Sequence, residues 1–600
     1  MKLLDFNIKT SYRLILWILL LLLTASILIF PVKLQFEYHA VESLYIFGDN
    51  LLLFSILYVV WLASLLLLLF SKIAEWQRVV LITIFTLVFL GFWVVNTPYG
   101  SYADGMVNMG HVKYLTETGS IPFDHPSLAY FQYPGLHLTA LSITEITGLD
   151  ILVTRTILLV FSRILLAILL YVIFTKSLHN PAVASLSVLL FFHGSLLLQR
   201  TMFHPGITAF IFFVILLWIL MTYKDGRVMP LMVVFLICFS ALTITYLPIP
   251  AFFIFAFVGI YIMQQISKKM TYSRSLLIFC VVIFLTWEMY WATRMFSGLA
   301  GHTQDLIAAF SNPLERLLPI FNTTTASLGE STPLWASLTR IFWLVVIFVF
   351  GAILGIKNLF RYKKLDLKET LETGGLWGVL IFAAVCIFAF PGGTQQSRVL
   401  MYASLFTVPI IIRFITNMKE SNMIPQSTNI NKYLIIPWNK VIKYSIVMIY
   451  LVVLVMSLPT FLVNHSDVDN LSVYKYEHSA GEFVETHYDD RSLSFISDIL
   501  TVYTSVYFVP DAEFASLPQP WEIASGQELW TKSNNLLYEL QSSSNTAIFV
   551  FTERFDQAYR SAEYYEEFST EWIEFINILS RNDMIYNNNH SQVYANQLTQ

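Results

Sequence analysis

Residues 99–150 decide the reading: YGSYADGMVNMGHVKYLTETGSIP (99–122), then FDHPSLA (123–129), YFQYPGLH (130–137) and LTALSITEITGLD (138–150). This polar, helix-signalling stretch stands between two apolar runs, 79–96 and 151–175. Met106, Met109 and Lys113, and Val112 with Leu115, follow helical spacing, and Gly119 followed by Pro122 is a helix stop. Asp104 sits where that helix begins, and His111, seven residues on, shares its face. Pro134 predicts the start of a second amphipathic helix to about Thr147, ended by Gly148. Loops above ~12–15 residues are usually functional or disordered, and this one carries structure. Two helices lying on the end of a bundle would roof a cavity.

The chain outward from this loop is apolar. Of 600 residues 56% are hydrophobic and 13% charged, and the mean hydropathy is +0.64. Soluble domains carry about 25% charged residues. A protein core cannot absorb such a surplus over this length, but lipid can. About thirteen segments are long enough to cross a ~30 Å hydrocarbon core: 13–31, 50–71, 79–96, 151–175, 181–199, 205–222, 229–246, 248–266, 275–292, 336–356, 376–391, 399–416 and 442–463. The junction Tyr246-Leu247-Pro248-Ile249-Pro250 is tight and leaves the count open by one or two. The first run follows Lys2, Lys9 and Arg13, and Pro31-Val32-Lys33 is a poor cleavage site, so it reads as a retained signal anchor.

Lys and Arg concentrate in alternate connections: Lys72 and Arg78; Lys176; Lys224 and Arg227; Lys268, Lys269 and Arg274; Lys357 to Lys368; Arg413 to Lys443. The positive-inside rule then puts the N-terminus in the cytoplasm, and the long loops 97–150 and 293–335 outside with residues 464–600. The expected localisation is the cell membrane, multi-pass. Residues 464–600 hold 21 acidic and 6 basic residues, the remainder 19 and 30. An acidic tail on a basic membrane part argues against nucleic-acid binding. The tail mixes helix signals (476–488, 571–580) with strand signals (493–496, 501–509, 546–551), predicting a small extracytoplasmic α/β domain. Cys238, Cys280 and Cys386 all lie in apolar runs, with no disulfide framework or CxxC pair.

An Asp soon after a span, an amphipathic helix, Gly119-Ser-Ile-Pro122, Tyr133-Pro-Gly-Leu-His137 and Thr147-Gly-Leu-Asp150 leading into a span together resemble the first outer loop of archaeal membrane glycosyltransferases of the GT-C superfamily. That superfamily includes oligosaccharyltransferase catalytic subunits and protein O-mannosyltransferases. Gln199-Arg200-Thr-Met-Phe-His204-Pro205 looks like their short outer loop, and Gln396-Ser-Arg398-Val-Leu-Met-Tyr402 like their Arg-led span start. Asp583 to Tyr594 is similar to their terminal hairpin. The WWDYG-type motif of oligosaccharyltransferases is absent, as is a DxD pair in the first loop.

The resemblance implies a GT-C-like bundle (residues 1–463) that transfers a sugar from a polyprenyl-phosphate-linked donor to a glycan, lipid or protein acceptor at the outer face of the membrane lipid. Asp104 would deprotonate the acceptor or hold a divalent cation (Mg or Mn), with His111 assisting. Arg398, Arg200 and Arg155 are candidates for the donor phosphate, with His204, His137 and Glu288 as further substrate contacts. Each has a plainer role open to it. Asp104 fits a helix cap, outer arginines are interfacial anchors, and Arg163, near mid-membrane, must face the bundle interior. Arg294, Asp124, His125, Glu145 and His193 are weaker candidates. The alternative is a transporter or flippase of lipid-linked sugars. It would call for inverted repeats or broken mid-membrane helices; the sequence shows no repeated halves, and its polar candidates cluster at the outer surface rather than along a path through the membrane.

Overall fold

In the computed structural model, residues 10–30, 50–92, 94, 103–121, 129–194, 203–222, 228–269, 272, 274–293, 334–389, 394–417, 449, 451–462, 475–487, 493–497, 513–516, 546–552, 583–587 and 591–595 are described. The helices in chain order are α1 (Thr10–Leu28), α2 (Leu51–Phe70), α3 (Glu75–Phe89), α4 (Ala103–Thr118), α5 (Gly135–Thr147), α6 (Ile151–Leu178), α7 (Pro181–Gly194), α8 (Pro205–Thr222), α9 (Val228–Thr245), α10 (Pro248–Ser267), α11 (Arg274–Tyr290), α12 (Leu334–Trp343), α13 (Phe350–Phe360), α14 (Leu367–Ala389) and α15 (Thr394–Asn417). A π-helical turn, Leu344–Val349, joins α12 to α13. Then follow α16 (Leu451–Leu462) and α17 (Lys475–His487).

Six helices among the described residues are long and apolar enough to cross a membrane, including α12–α13 taken together, and four more apolar helices are shorter. The helix starts follow side-chain chemistry. The Asp150 carboxylate accepts the Leu152 amide at 2.7 Å to cap α6, and Asn180 Oδ1 accepts the amides of Ala182 and Val183 to cap α7. The tight Tyr246-Leu247-Pro248 junction resolves into two helices, with Pro248 in the first turn of α10. Helix α14 starts at Leu367, nine residues before the span expected from hydropathy. Its polar first turns find partners instead of lipid: Arg413 reaches Glu372 (2.8 Å), Glu369 (3.7 Å) and Asp366 (3.3 Å), and Ser177 Oγ donates to Glu372.

That network belongs to one end of the bundle. There Arg13 donates to the Lys72 carbonyl (2.7 Å), Lys176 to Thr222 Oγ1 (2.7 Å), Lys368 to the Lys176 carbonyl (2.5 Å) and Lys269 to the Leu365 carbonyl. The connections that the charge pattern grouped on one side thus meet in space. Between the ends the interior is aromatic, with a buried hydrogen-bond chain inside it. His193 donates to the Leu189 carbonyl (2.6 Å) and accepts from Ser457 (2.8 Å), whose hydroxyl also meets Tyr58 (2.9 Å).

Helices α10 and α14 pack backbone to backbone. A Cβ at Gly259 would overlap the Gly374 carbonyl, and one at Gly378 the Phe255 carbonyl. Backbone cannot yield as a side chain can, so Gly378→Leu should destabilise by about 3 kcal/mol. Gly355→Ala, whose Cβ would meet the flexible end of Leu376 at 2.9 Å and the Trp377 indole at an ordinary 3.5 Å, should cost less. Thermal midpoints of the two purified variants make the comparison.

The C-terminal strands β1 (Leu493–Ser497), β2 (Glu513–Ser516), β3 (Thr546–Thr552), β4 (Asp583–Asn587) and β5 (Ser591–Ala595) form one sheet in the order β2-β1-β3-β5-β4. β1 lies parallel to β2 and β3, while β4 and β5 form the antiparallel terminal hairpin. Among the side chains described in this unit, Ala480 and Val484 of α17, one turn apart, and Val550 and Val593 of the sheet are buried. The strand expected at 501–509 and the helix at 571–580 lie outside the described residues. Strand β2 escaped the sequence reading because Glu513-Phe-Ala-Ser516 lacks β-branched residues.

Candidate functional site

The two loop helices form as expected. Gly119 (φ +65°) and Gly148 (φ +67°) end α4 and α5 in the left-handed conformation that favours glycine. Both helices lie on α6. Their apolar sides meet it through Met106, Met109, Val112, Leu136, Ala140 and Leu159, joined by Phe203. Thr144 Oγ1 donates to Thr154 Oγ1 at 3.1 Å. Helix α5 enters the bundle through a close approach: a Cβ on Gly135 would lie 2.9 Å from Thr245 Cα, at the end of α9.

A polar group is sealed beneath this roof. Asn108, His111, Gln132 and His137 are each no more than 1% exposed. His137 Nε2 lies 2.8 Å from Asn108 Oδ1. Asn108 presents its amide oxygen, so Nε2 carries the proton and Nδ1 the lone pair. The His111 ring stands 4.4 Å from Phe131 and 5.1 Å, edge-on, from His137. Burial pushes the His137 pKa down from 6.5 to about 3, keeping the imidazole neutral.

The folded value lies below the unfolded one, so the unfolded chain takes the proton first as pH falls. The stability from a neutral His137 is present in full above pH ~6.5. It is lost between 6.5 and 3, at up to about 1.4 kcal/mol per unit. His137→Gln should therefore flatten the fall in thermal midpoint between pH 7 and 5 relative to the parent.

Two consecutive residues tie the roof to α11. Tyr133 donates its phenol to Glu288 Oε2 at 2.8 Å, and the Gln132 carbonyl accepts from Trp287 Nε1 at 3.1 Å. Tyr133 and Glu288 are 2% and 1% exposed. Burial, then the charge of Glu288 and the hydrogen bond to it, raise the Tyr133 pKa well above the usual phenol value. On the outward side of the roof, Lys113 pairs with Glu485 of α17, joining α4 to the C-terminal unit.

Arg155, Leu159 and Arg163 follow one another by one turn along one face of α6. Leu159 belongs to the apolar cluster under the roof, so that face is the one covered by α4 and α5. Both arginines are 1% exposed, and Arg163 Nη1 donates to the Leu159 carbonyl at 2.9 Å. His204 is half-buried. Its Nδ1 accepts from the Gly206 amide (3.0 Å), and its ring meets Tyr246 edge-on at 4.8 Å, one residue from the Thr245 that Gly135 approaches.

The roof thus gathers His111 and His137 and is tied to Glu288, with Arg155 on the helix face it covers and His204 at its edge. Asp104 lies in the first turn of α4 and Arg398 is the fifth residue of α15, but both side chains fall outside the described residues. Arg200, Arg294, Asp124 and His125 fall outside them altogether, and Glu145 is exposed. Asn108, Gln132 and Tyr133 were missed in the sequence. The pattern YFQYPGLH was visible there, but no motif marks a Gln or Tyr as a partner of a distant span. Among the described residues no three His, Cys, Asp or Glu side chains gather as a metal ion needs. The imidazoles of His111 and His137 do not offer the oxygen ligands that Mg prefers.

The protein described so far is a polytopic helical bundle with a helical roof at one end and an α/β unit joined to that roof. No family model matches the chain, and no curated protein matches it. Among solved structures it is similar to apo ArnT from Cupriavidus metallidurans, at 11% identity over 86% of this chain and 98% of that one, TM-score 0.47. ArnT bound to undecaprenyl phosphate is similar at 11% identity over 88% and 99%, TM-score 0.43. The archaeal oligosaccharyltransferase AglB from Archaeoglobus fulgidus, in complex with an inhibitory peptide and a dolichol-phosphate, is similar at 11% identity over 82% and 71%, TM-score 0.45.

Proposed function

We propose that this protein is a membrane glycosyltransferase that moves a sugar from a polyprenyl-phosphate carrier to an acceptor at the roofed end of the bundle. The observation that carries the reading is the first long loop. It folds as two helices that seal His111, His137, Asn108 and Gln132 against the Arg155 face of α6. Lipid-facing spans alone need no such roof. The basic opposite end then faces the cytoplasm, and the roof and α/β unit face outward.

In this reading Asp104 takes the proton of an acceptor hydroxyl, whose oxygen attacks the anomeric carbon. The bond from that carbon to the phosphate oxygen breaks, and the phosphate leaves with the electron pair. Arg155, with Arg398 and Arg200, stabilises the charge that develops on the phosphate. His111 assists the acceptor side, and His204 lies at the roof's edge. Asp104 holding a divalent cation is the other role that its position allows, and cation dependence of the rate separates the two. The α/β unit, joined to the roof by Lys113–Glu485, covers the site or receives the acceptor.

The experiment supplies the purified protein in lipid vesicles with a labelled sugar on decaprenyl phosphate. Label should move to lipid, glycan or protein acceptors drawn from a membrane extract. Movement of intact lipid-linked sugar between leaflets without transfer would instead make the protein a flippase.

A further inference from the structure

At the basic end of the bundle, the turn between α13 and α14 sorts its charges by sign. Its acids are committed. Asp366 and Glu369 cap α14 reciprocally: the Glu369 amide donates to Asp366 Oδ1 (2.7 Å), and the Asp366 amide to Glu369 Oε2 (2.9 Å). Both of these carboxylates, with Glu372, also face Arg413. The bases of the same turn are left over. Arg361, Lys363 and Lys364 are exposed, and among the described residues no carboxylate pairs with any of them. Lys363 Nζ stands 5.7 Å from the ring of its neighbour Tyr362.

An apolar stripe runs into this cluster. Ile353, Ile356 and Phe360 recur at helical spacing on one face of α13 and are 55%, 43% and 84% exposed. The other face packs inward through Gly351, Leu354 and Gly355. With α12, α13 is long and apolar enough to cross a membrane, so its exposed stripe meets acyl chains. The stripe ends at Phe360, and the next residue is Arg361. Apolar surface thus gives way to cationic surface where a span leaves the hydrocarbon and reaches the head groups.

We infer that this end of α13 is a binding surface for an anionic phospholipid, with an acyl chain along Ile353, Ile356 and Phe360 and the head-group phosphate on Arg361, Lys363 and Lys364. Arg361 offers a planar fork that matches phosphate, and the lysines add point charges. Each exposed cation at an anionic lipid surface contributes roughly fivefold. A zwitterionic lipid carries its own ammonium group, which these cations repel, so the surface selects by net charge. An acidic protein would need the cations alone; the stripe that leads into them fits a lipid.

The test is native mass spectrometry of the full chain in neutral detergent, titrated with dioleoyl phosphatidylglycerol or dioleoyl phosphatidylcholine. The parent should bind its first phosphatidylglycerol at least about 10-fold more tightly than its first phosphatidylcholine. The combined variant Arg361→Gln, Lys363→Gln, Lys364→Gln should lose most of that preference at an unchanged thermal midpoint, since the three side chains are exposed. Lys72→Gln with Arg274→Gln, which removes two exposed cations elsewhere, should keep it. Phe360→Ser should weaken phosphatidylglycerol binding by a smaller factor than the combined variant.

If the combined variant keeps the parent's preference, the head group is not held here. If Lys72→Gln with Arg274→Gln loses as much, the effect is one of net charge and the inference fails. Phosphatidylglycerol displaced by inorganic phosphate but not by chloride at equal ionic strength, or bound unchanged by Phe360→Ser, would mean that the cations hold a soluble anion with no lipid on the stripe. A parent that does not distinguish the two lipids would leave the cations to an acidic protein and also overturn the inference.

Discussion

Asp104→Asn should lower sugar transfer by roughly 10²- to 10⁴-fold, the usual contribution of a positioned general base, with the fold unchanged. The substitution separates the two roles open to this residue. Asp104 is the second residue of α4, inside the helix rather than at its cap, so Asn gives up only the carboxylate's interaction with the helix dipole, about 0.3–1 kcal/mol. A loss of that size in stability, read from the thermal midpoint, does not account for a rate lost by roughly 10²-fold or more. A base loses the acidic limb of the pH–rate profile along with its carboxylate. A cation ligand instead shifts the dependence on added Mg or Mn to higher concentration. Steady-state rates of parent and variant across pH and cation concentration, with thermal midpoints as the check on folding, distinguish these outcomes. An unchanged rate removes Asp104 from the mechanism.

The second large effect is expected at Arg155. Arg155→Gln should cost about 10²- to 10³-fold in kcat, comparable to the loss of one donor to a developing oxyanion, with a smaller change in KM. Arg155→Lys should recover only part of this, since a point charge lacks the planar fork that matches phosphate. The same change at Arg163 should do much less. It lies two turns deeper along α6, about 12 Å, and its guanidinium already donates to the Leu159 carbonyl. Transfer rates at saturating donor for the three variants test the contrast. Equal losses at Arg155 and Arg163 would mean that both act through the packing of α6.

Much of the bundle was legible because lipid imposes one requirement on every span. Runs such as Pro205–Thr222 and Pro248–Ser267 announce themselves by composition and by the prolines that open them. The roof was legible for a different reason: Gly119, Pro134 and Gly148 punctuate a polar stretch with helical spacing, and α4 and α5 follow that punctuation. Hydropathy misled at α14, whose first turns carry Glu369 and Glu372. Their burial depends on Arg413, 41 residues beyond Glu372, which no local window sees.

The site was half legible. His111, His137 and His204 were marked as polar groups of the outer loops, and Arg155 and Glu288 as charged groups within spans. What ties them together was not marked, because Asn108 and Tyr133 are ordinary residues until folding brings them to His137 and Glu288. The pairing of Tyr133 with Glu288 spans 155 residues, and only the packing of the roof on α11 creates it.

The most direct test of the central claim is transfer of labelled sugar from decaprenyl phosphate in vesicles where the α/β unit faces outward, with donor confined to one leaflet at a time. The account predicts transfer when the donor lies in the outer leaflet, on the side of the roof, and loss of that transfer in Asp104→Asn. Transfer only from the inner leaflet, or none from either leaflet while intact donor crosses between them, would contradict it.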